Sequence, residues 1–300
     1  MPCFHPLSAF YSAMPNSDGK RVITFVQTSD CRPIKLPCGQ CVGCRLERSR
    51  QWAIRCVHEA QMHDKNCFIT LTFSPDSLAK RTNPYSLDVR DFQLFMKKLR
   101  NRHGAGIRFY HCGEYGEQNG RPHYHACLFG FDFADKTLWK IINGNRLYIS
   151  KDLSELWPYG FSTIGEVTFE SAAYVARYIM KKINGEKADD HYGYNPDTGE
   201  LIKPEYTTMS RRPGIGSTWL QKYASDIYPR DSVVVRGVAM KPPKYYDNVI
   251  KTTRPYEFDV IKEKRYLTSL KHADNNSKER LAIREEVAKA RLNLLPRNTD

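Results

Sequence analysis

The run Arg121-Pro122-His123-Tyr124-His125 sets a histidine on either side of one aromatic residue, and Ala126-Cys127-Leu128-Phe129 follows at once. Such composition reads as a strand, in which alternate side chains share a face. His123 and His125 then project together, roughly 6–7 Å apart, within reach of one metal ion, while Tyr124 points into the opposite layer. Two imidazoles leave a divalent ion under-coordinated, so a carboxylate is expected on the neighbouring strand. Glu114, in Cys112-Gly113-Glu114-Tyr115-Gly116, is placed for this just before a hairpin turn, and Glu117, in the turn itself, is the rival. Two histidines and one carboxylate with open positions suit a hard or borderline ion that also holds substrate oxygens. Mg²⁺ or Mn²⁺ fits, with the imidazoles favouring Mn²⁺. The plain alternative is that Glu114 only solvates an edge strand and the histidines are packing residues.

About fifty positions on stands Tyr174-Val175-Ala176-Arg177-Tyr178-Ile179-Met180-Lys181-Lys182. At 100° per residue Tyr174, Tyr178 and Lys181 fall within roughly a 60° sector, and Ala172, Val175, Ala176, Ile179 and Ile183 occupy the other side. The helix therefore has a core face without its tyrosines. A phenolic oxygen can attack a phosphodiester, but with an ordinary pKa near 10 it needs help to ionise. Lys181 would favour the phenolate, and the metal would polarise the phosphate and orient it for in-line attack. The products would be a 5′-phosphotyrosyl bond and a free 3′-hydroxyl. The bond energy is conserved, so the break can be resealed without ATP. A second tyrosine one turn away allows another cut while the first end is still held.

The elements that must carry these residues alternate along the middle of the chain. Cys67 to Phe73 is a β run ended by Ser74-Pro75-Asp76, and Leu87 to Arg102 has helical period with Phe92, Phe95, Met96 and Leu99 on one side. Gly106 to Tyr115 and Pro122 to Phe131 read as hairpin-linked strands, and Phe161 to Thr168 as another after a helical or irregular insert. This order predicts an α+β fold, an antiparallel sheet covered by helices, with an N-terminal cysteine-rich extension and a C-terminal accessory region. Three regions are expected: 1–66 with a basic helix from about Cys44 to Met62, 67–185 as the core, and 186–300 as a DNA-binding accessory region. Glycine, proline and acidic residues make Gly185 to Pro213 a loop or junction, and Ser277 to Leu295 a terminal helix.

The chain has 300 residues with 46 Lys and Arg against 33 Asp and Glu, a net charge of +13. That excess favours a polyanionic partner, most simply nucleic acid. No stretch approaches the ~20 apolar residues of a membrane span, and the start has no signal-peptide pattern. No Gly-x-x-x-x-Gly-Lys-Ser/Thr sequence occurs to support ATP hydrolysis. Cys38, Cys41 and Cys44 make two overlapping Cys-x-x-Cys spacings, one ligand short of a closed Zn²⁺ site. Cys3 is the preferred fourth ligand, with His5 or Cys31 as alternatives. Cys56, Cys67, Cys112 and Cys127 lie in periodic segments and read as core residues in a reducing cytoplasm. Arg45, Arg48, Arg50, Arg55 and the Arg211-Arg212 pair are candidate phosphate contacts, and Tyr110 or Tyr115 could stack on unpaired bases.

The His-x-His strand followed by Tyr-x-x-x-Tyr-x-x-Lys resembles the HUH endonucleases, whose core is a ferredoxin- or RRM-like sheet. It is most similar to the two-tyrosine rolling-circle replication initiators of microviruses. Pro37-Cys38-Gly39-Gln40-Cys41-Val42-Gly43-Cys44-Arg45 and Ser210-Arg211-Arg212-Pro213-Gly214-Ile215-Gly216 resemble the gokushovirus branch. The resemblance implies metal ligands His123, His125 and Glu114, nucleophiles Tyr174 and Tyr178, and Lys181 as the accompanying lysine. It implies nicking at a viral origin, circularisation of single-stranded DNA genomes, a host helicase and DNA polymerase as partners, and action in the bacterial cytoplasm. The competing expectations are a mobilisation or transposition nuclease with the same site, a freely hydrolysing metallonuclease, and a zinc-stabilised nucleic-acid-binding protein without chemistry.

Overall fold

A computed structural model describes residues 3–17, 21–28, 30–116, 120–178, 192–195, 199, 201–228 and 230–294, with Arg177 and Tyr178 described by backbone only. The chain forms two compact units, 1–48 with 263–300, and 49–262. These boundaries differ from the expected cuts after 66 and 185, because both the end of the first helix and a strand at 206–209 belong with the central sheet.

In the larger unit, seven strands build one sheet. They are β4 (Asn66–Leu71), β5 (Arg108–Tyr115), β6 (Pro122–Phe129), β7 (Thr137–Ile142), β8 (Asn145–Ile149), β9 (Ser162–Gly165) and β10 (Tyr206–Met209). Their order is β10-β5-β6-β4-β9-β8-β7, and every recorded pair is antiparallel. Alternation gives the sheet two apolar faces. Cys67, Ile69 and Leu71 of β4, with Tyr124, Ala126 and Leu128 of β6, bury against helix α3 (Val89–His103), which follows the short α2 (Pro75–Ala79), through Phe92, Phe95, Met96 and Leu99. Each of the leucine, isoleucine, phenylalanine and methionine side chains among them contributes about 1.5–3 kcal/mol when fully buried. Asp88 starts this helix, its carboxylate accepting from the Arg90 N–H, which satisfies an otherwise unpaired first-turn donor.

On the other face Tyr110, Cys112, Cys127 and Phe129 pack with Ala53 and Cys56 of α1 (Val42–Ala60) and with Ala172, Val175 and Ala176 of α5 (Phe169–Tyr178). Thr168 and Ser171 cap α5 reciprocally, each hydroxyl accepting from the other's backbone N–H at 3.1 and 2.8 Å. The fold is α+β, a large antiparallel sheet between helices.

Three readings are corrected here. The insert before β9 holds the β7–β8 hairpin and the short helix α4 (Lys151–Leu156), not merely helix or irregular chain. The supposed loop to Pro213 contains β10, whose Tyr206-Thr207-Thr208-Met209 run pairs along β5. In α1 helical period predicts an apolar stripe of Leu46, Ala53, Val57 and Ala60, but the buried side includes Ile54, His58 and Glu59 besides Ala53, whereas Val57 is only half-buried.

The smaller unit holds strands β1 (Leu7–Pro15), β2 (Arg21–Thr24) and β3 (Arg32–Leu36) in the order β2-β1-β3, and the C-terminal helix Lys278–Leu294. The reading of the N-terminal region as a cysteine-rich segment and a basic helix names no strands; these, largely exposed, lack the alternating pattern that would announce them.

Candidate active site

β5 and β6 pair so that Glu114 stands directly opposite His123, and Cys112 opposite His125. Period-two alternation then puts both imidazoles and the carboxylate on one face. Gly113, between Cys112 and Glu114 in sequence, is required by the reverse face. A Cβ there would lie 2.8 Å from the Tyr206 ring and 3.1 Å from Tyr124 and Leu87. Tyr124 points away from the site as expected, its hydroxyl donating to Asp91 Oδ2 at 2.6 Å.

The Nε2 atoms of His123 and His125 lie 2.6 and 2.7 Å from the same oxygen, Glu114 Oε1. The Tyr174 hydroxyl donates to that oxygen at 3.4 Å, and its ring meets His125 edge-on with centroids 5.1 Å apart. His123 Nδ1 is 3.1 Å from the Arg121 carbonyl, which can only accept. Nδ1 is therefore the donor, and in a neutral ring Nε2 carries a bare lone pair. His125 Nδ1 is held by the Thr70 hydroxyl at 2.9 Å, and Phe68 stacks on its ring. Hydrogen bonds on the far nitrogens are the usual means of aiming imidazoles at a metal.

Lone pairs crowded at this spacing need protons or a cation between them. Glu114 Oε2 adds a second reason, since it is buried and has no hydrogen-bond partner among the described residues. Burial pushes the Glu114 carboxyl up, but hydrogen bonds and charge from His123 and His125 outweigh it and hold the group below the ordinary carboxylate value. Glu114, His123 and His125, with ligand atoms all within 4.8 Å of one another, form a group that could hold a metal ion. The donor set fits a divalent cation with positions left open.

Thr70 is the site residue that sequence reasoning missed. Its strand was legible, but the register that sets Thr70 opposite His125 was not. Tyr178 ends α5, and its side chain, like Lys181 and Glu117, lies outside the described residues. Two expected base-stacking groups are withdrawn. Tyr110 is fully buried, stacked on Trp52 at 4.7 Å, and Tyr115 donates its hydroxyl to the Lys203 carbonyl while accepting from the Leu87 N–H. Arg55 is a packing cation, its guanidinium 4.0 Å from the ring centres of both Trp52 and Tyr245. Arg50 donates to the Lys241 carbonyl. Arg48, Arg211 and Arg212 are exposed and Arg45 half-buried.

In the smaller unit Cys3 joins Cys38, Cys41 and Cys44, with all four sulfurs within 4.8 Å of one another. Two of the separations are 4.0 Å, far beyond a disulfide and near the ~3.8 Å edge of a tetrahedron with 2.3 Å Zn–S bonds. Backbone N–H groups of Phe4, Cys38 and Cys41 point at sulfurs from 3.3 Å. Burial raises the Cys41 thiol, but hydrogen bonds from the Phe4 and Cys44 backbone and from neighbouring thiols bring it down to about 6. His5 and Cys31 are not ligands; His5 meets Glu285 and Cys31 meets Thr28. Cys56, Cys67, Cys112 and Cys127 are all buried in the larger unit's core, as expected.

A protein-family profile described as "Replication-associated protein ORF2/G2P" matches residues 66–183. "Replication-associated protein VP4" of Bdellovibrio phage phiMH2K is 31% identical over 93% of this chain and 86% of its own length. "Replication-associated protein ORF2" of Spiroplasma virus 4 is 36% identical over 77% of this chain and 72% of its own. "Replication-associated protein ORF4" of Chlamydia phage 1 is 28% identical over 75% of this chain and 56% of its own. No solved structure matches the chain significantly. The profile spans the strands and helix that carry Glu114, His123, His125 and Tyr174, and the relatives extend the likeness over most of the chain. The chain belongs to the family of replication-associated proteins of microvirus-type phages.

Proposed function

We propose that the protein initiates rolling-circle replication as an HUH endonuclease, nicking a single DNA strand at a viral origin with a tyrosine and later resealing it. The observation that carries this reading is the 3.4 Å approach of the Tyr174 hydroxyl to Glu114 Oε1, the oxygen on which both histidines converge. A nucleophile beside a three-ligand cluster is what metal-assisted phosphoryl transfer requires.

Glu114, His123 and His125 would hold Mg²⁺ or Mn²⁺, which when bound supplies a Lewis acid for the scissile phosphate. Tyr174 attacks phosphorus, an O–P bond forms, and the P–O3′ bond breaks. The phenol loses one proton and the 3′ oxygen gains one, so none is consumed. The 3′-hydroxyl primes synthesis and is used up in extension; a second cut releases a new 3′-hydroxyl, whose attack on the first phosphotyrosine closes a circle and frees that phenol. Tyr178 serves as the alternate nucleophile and Lys181 favours the phenolate, in keeping with their places in the sequence. Host helicase and polymerase would act alongside in the bacterial cytoplasm. Among the described residues no helix is long and apolar enough to cross a membrane. The cysteine cluster would hold Zn²⁺, and residues 186–300, with Arg45, Arg48, Arg211 and Arg212, would contribute to holding DNA.

The test is label transfer. Protein, Mn²⁺ and labelled single-stranded origin DNA are resolved on denaturing gels. A labelled band at protein mass, lost in His123→Ala and in Tyr174→Phe/Tyr178→Phe, is expected. Cleavage without an adduct would establish the hydrolytic metallonuclease instead, and binding without cleavage the non-catalytic protein.

A further inference from the structure

β5 begins at Arg108 and reaches Glu114 six residues later, a separation of roughly 20 Å along the strand. At the Arg108 end lies a cavity of about 460 Å³ lined by Arg100, Ile107, Arg108, Ser210, Arg211 and Arg212 among others. It has four arginines and no carboxylate in its lining. Two of the four are fixed from behind. Arg100 donates through Nε and Nη2 to the Ile107 carbonyl at 3.2 and 2.7 Å. Arg108 donates to the buried Glu59 through Nε and to the Pro213 carbonyl through Nη2.

The loop carrying the other two is clamped. Ser210 exchanges hydrogen bonds with the Phe109 backbone at 3.0 and 3.1 Å, and the Ile215 carbonyl accepts from Arg55 at 2.9 Å. The Gly216 N–H donates to Glu59 at 2.7 Å. Gly216 has φ +77°, and a Cβ there would sit 2.5 Å from the Tyr246 hydroxyl, so the loop admits glycine alone at this point. From this rigid mount Arg211 and Arg212 stand exposed, with no hydrogen bond or ion pair recorded for either among the described residues.

Like charges gathered on a loop that cannot relax repel one another, and an anion is the natural relief. Guanidinium forks match the planar pairs of oxygens that a phosphate presents. We infer that this arginine-lined cavity binds a backbone phosphate of the DNA strand, gripping it roughly 20 Å from the metal cluster, a distance spanned by about six phosphates of a B-form strand. The inference rests on the proposed reading that the protein handles DNA. It adds a fixed second holding point, built on the same strand as Glu114, that would keep the substrate seated while the cut end is exchanged.

The test measures binding rather than cleavage. A labelled single-stranded oligonucleotide is titrated by anisotropy across a salt series with full-length wild type, Arg211→Ala/Arg212→Ala, and Arg146→Ala, which removes an exposed arginine on β8. The double variant spares the arginines with structural partners, and an unchanged melting temperature confirms that it folds. Its affinity at physiological salt is expected to fall on the order of tenfold, and its salt slope by about 1.4, from ~0.7 per lost single-strand contact. Arg146→Ala should match wild type. Inorganic phosphate alone, at matched ionic strength, should leave the wild-type melting temperature unmoved. Equal binding by the double variant and wild type would overturn the inference, and if wild type still nicks, the proposed function would stand. Equal losses in all variants would reduce the effect to net charge and overturn it too. Stabilisation of wild type but not the variant by inorganic phosphate would make the cavity a free-anion site and overturn the strand assignment. Weakened binding in a protein that never cuts would support the cavity and sink the nicking.

Discussion

Two clusters could hold metal, and they are built on opposite plans. Cys3, Cys38, Cys41 and Cys44 bring four soft ligands together, with backbone N–H groups turned toward the sulfurs. Glu114, His123 and His125 bring three harder ligands, two aimed by groups on their far nitrogens, with a tyrosine hydroxyl beside them. A closed tetrahedral set leaves a metal no position for substrate, whereas three ligands on a rigid sheet leave room for phosphate oxygens and a nucleophile. On the proposed reading the first design would serve stability and the second chemistry, and each can be broken without the other.

The largest effect is expected from His125→Ala, which should lower strand cleavage about 10³-fold or more, since the lost Lewis acid is worth several kcal/mol of transition-state charge. Its melting temperature should stay close to wild type, checked by calorimetry beside a single-turnover assay. Cys44→Ser should do the reverse. We expect it to lose bound zinc, measured by elemental analysis, and to destabilise the smaller unit by about 4 kcal/mol or more. A Cys44→Ser protein that keeps its zinc and its stability would dissolve the comparison. Thr70→Val sharpens it further, because the Thr70 hydroxyl meets His125 at Nδ1, whereas Nε2 is the nitrogen beside Glu114. Its Mn²⁺ affinity, read by titration calorimetry, should fall 10- to 100-fold.

A third histidine supplies the contrast of smallest effect. His58 is buried with its ring 3.5 Å from Trp219 and Nδ1 2.9 Å from the Tyr246 hydroxyl. Burial takes its pKa from 6.5 down to about 3. The unfolded chain then binds a proton that the folded one refuses, so stability is complete above pH 6.5 and lost as pH falls toward 3, by at most about 1.4 kcal/mol per pH unit. His58→Gln should flatten that part of the stability-against-pH curve measured by urea unfolding. An unchanged slope would mean that His58 does not carry it.

The Glu-His-His cluster was legible because two short-range rules sufficed. Alternation put His123 and His125 on one face, and a hairpin connection brought Glu114 alongside. The zinc-type cluster was legible in its Cys-x-x-Cys spacings, and Cys3 was a choice among residues far away in sequence. What failed depended on which surfaces meet. Tyr110 shares the face of Glu114 by alternation, yet Trp52 of α1 covers it, and no local pattern says which stretch of sheet a helix will roof. Arg55 has a charged residue's look on a helical wheel, but two aromatic rings enclose it. β10 has only four residues between proline- and glycine-rich segments, too short for periodicity to speak.

The central claim is that the tyrosine beside the Glu-His-His cluster becomes bonded to DNA, and trypsin can read it. Cleavage after Lys151, Arg177 and Lys181 puts Tyr174 on peptide 152–177 and Tyr178 on peptide 178–181, so the two tyrosines separate. After reaction with origin DNA and Mn²⁺ and nuclease trimming, mass spectrometry should find a 5′-phosphonucleotide on the first peptide, with fragment ions fixing it on Tyr174. An unmodified Tyr174 in protein that has cut the strand, with the DNA released or attached to another residue, would contradict the account.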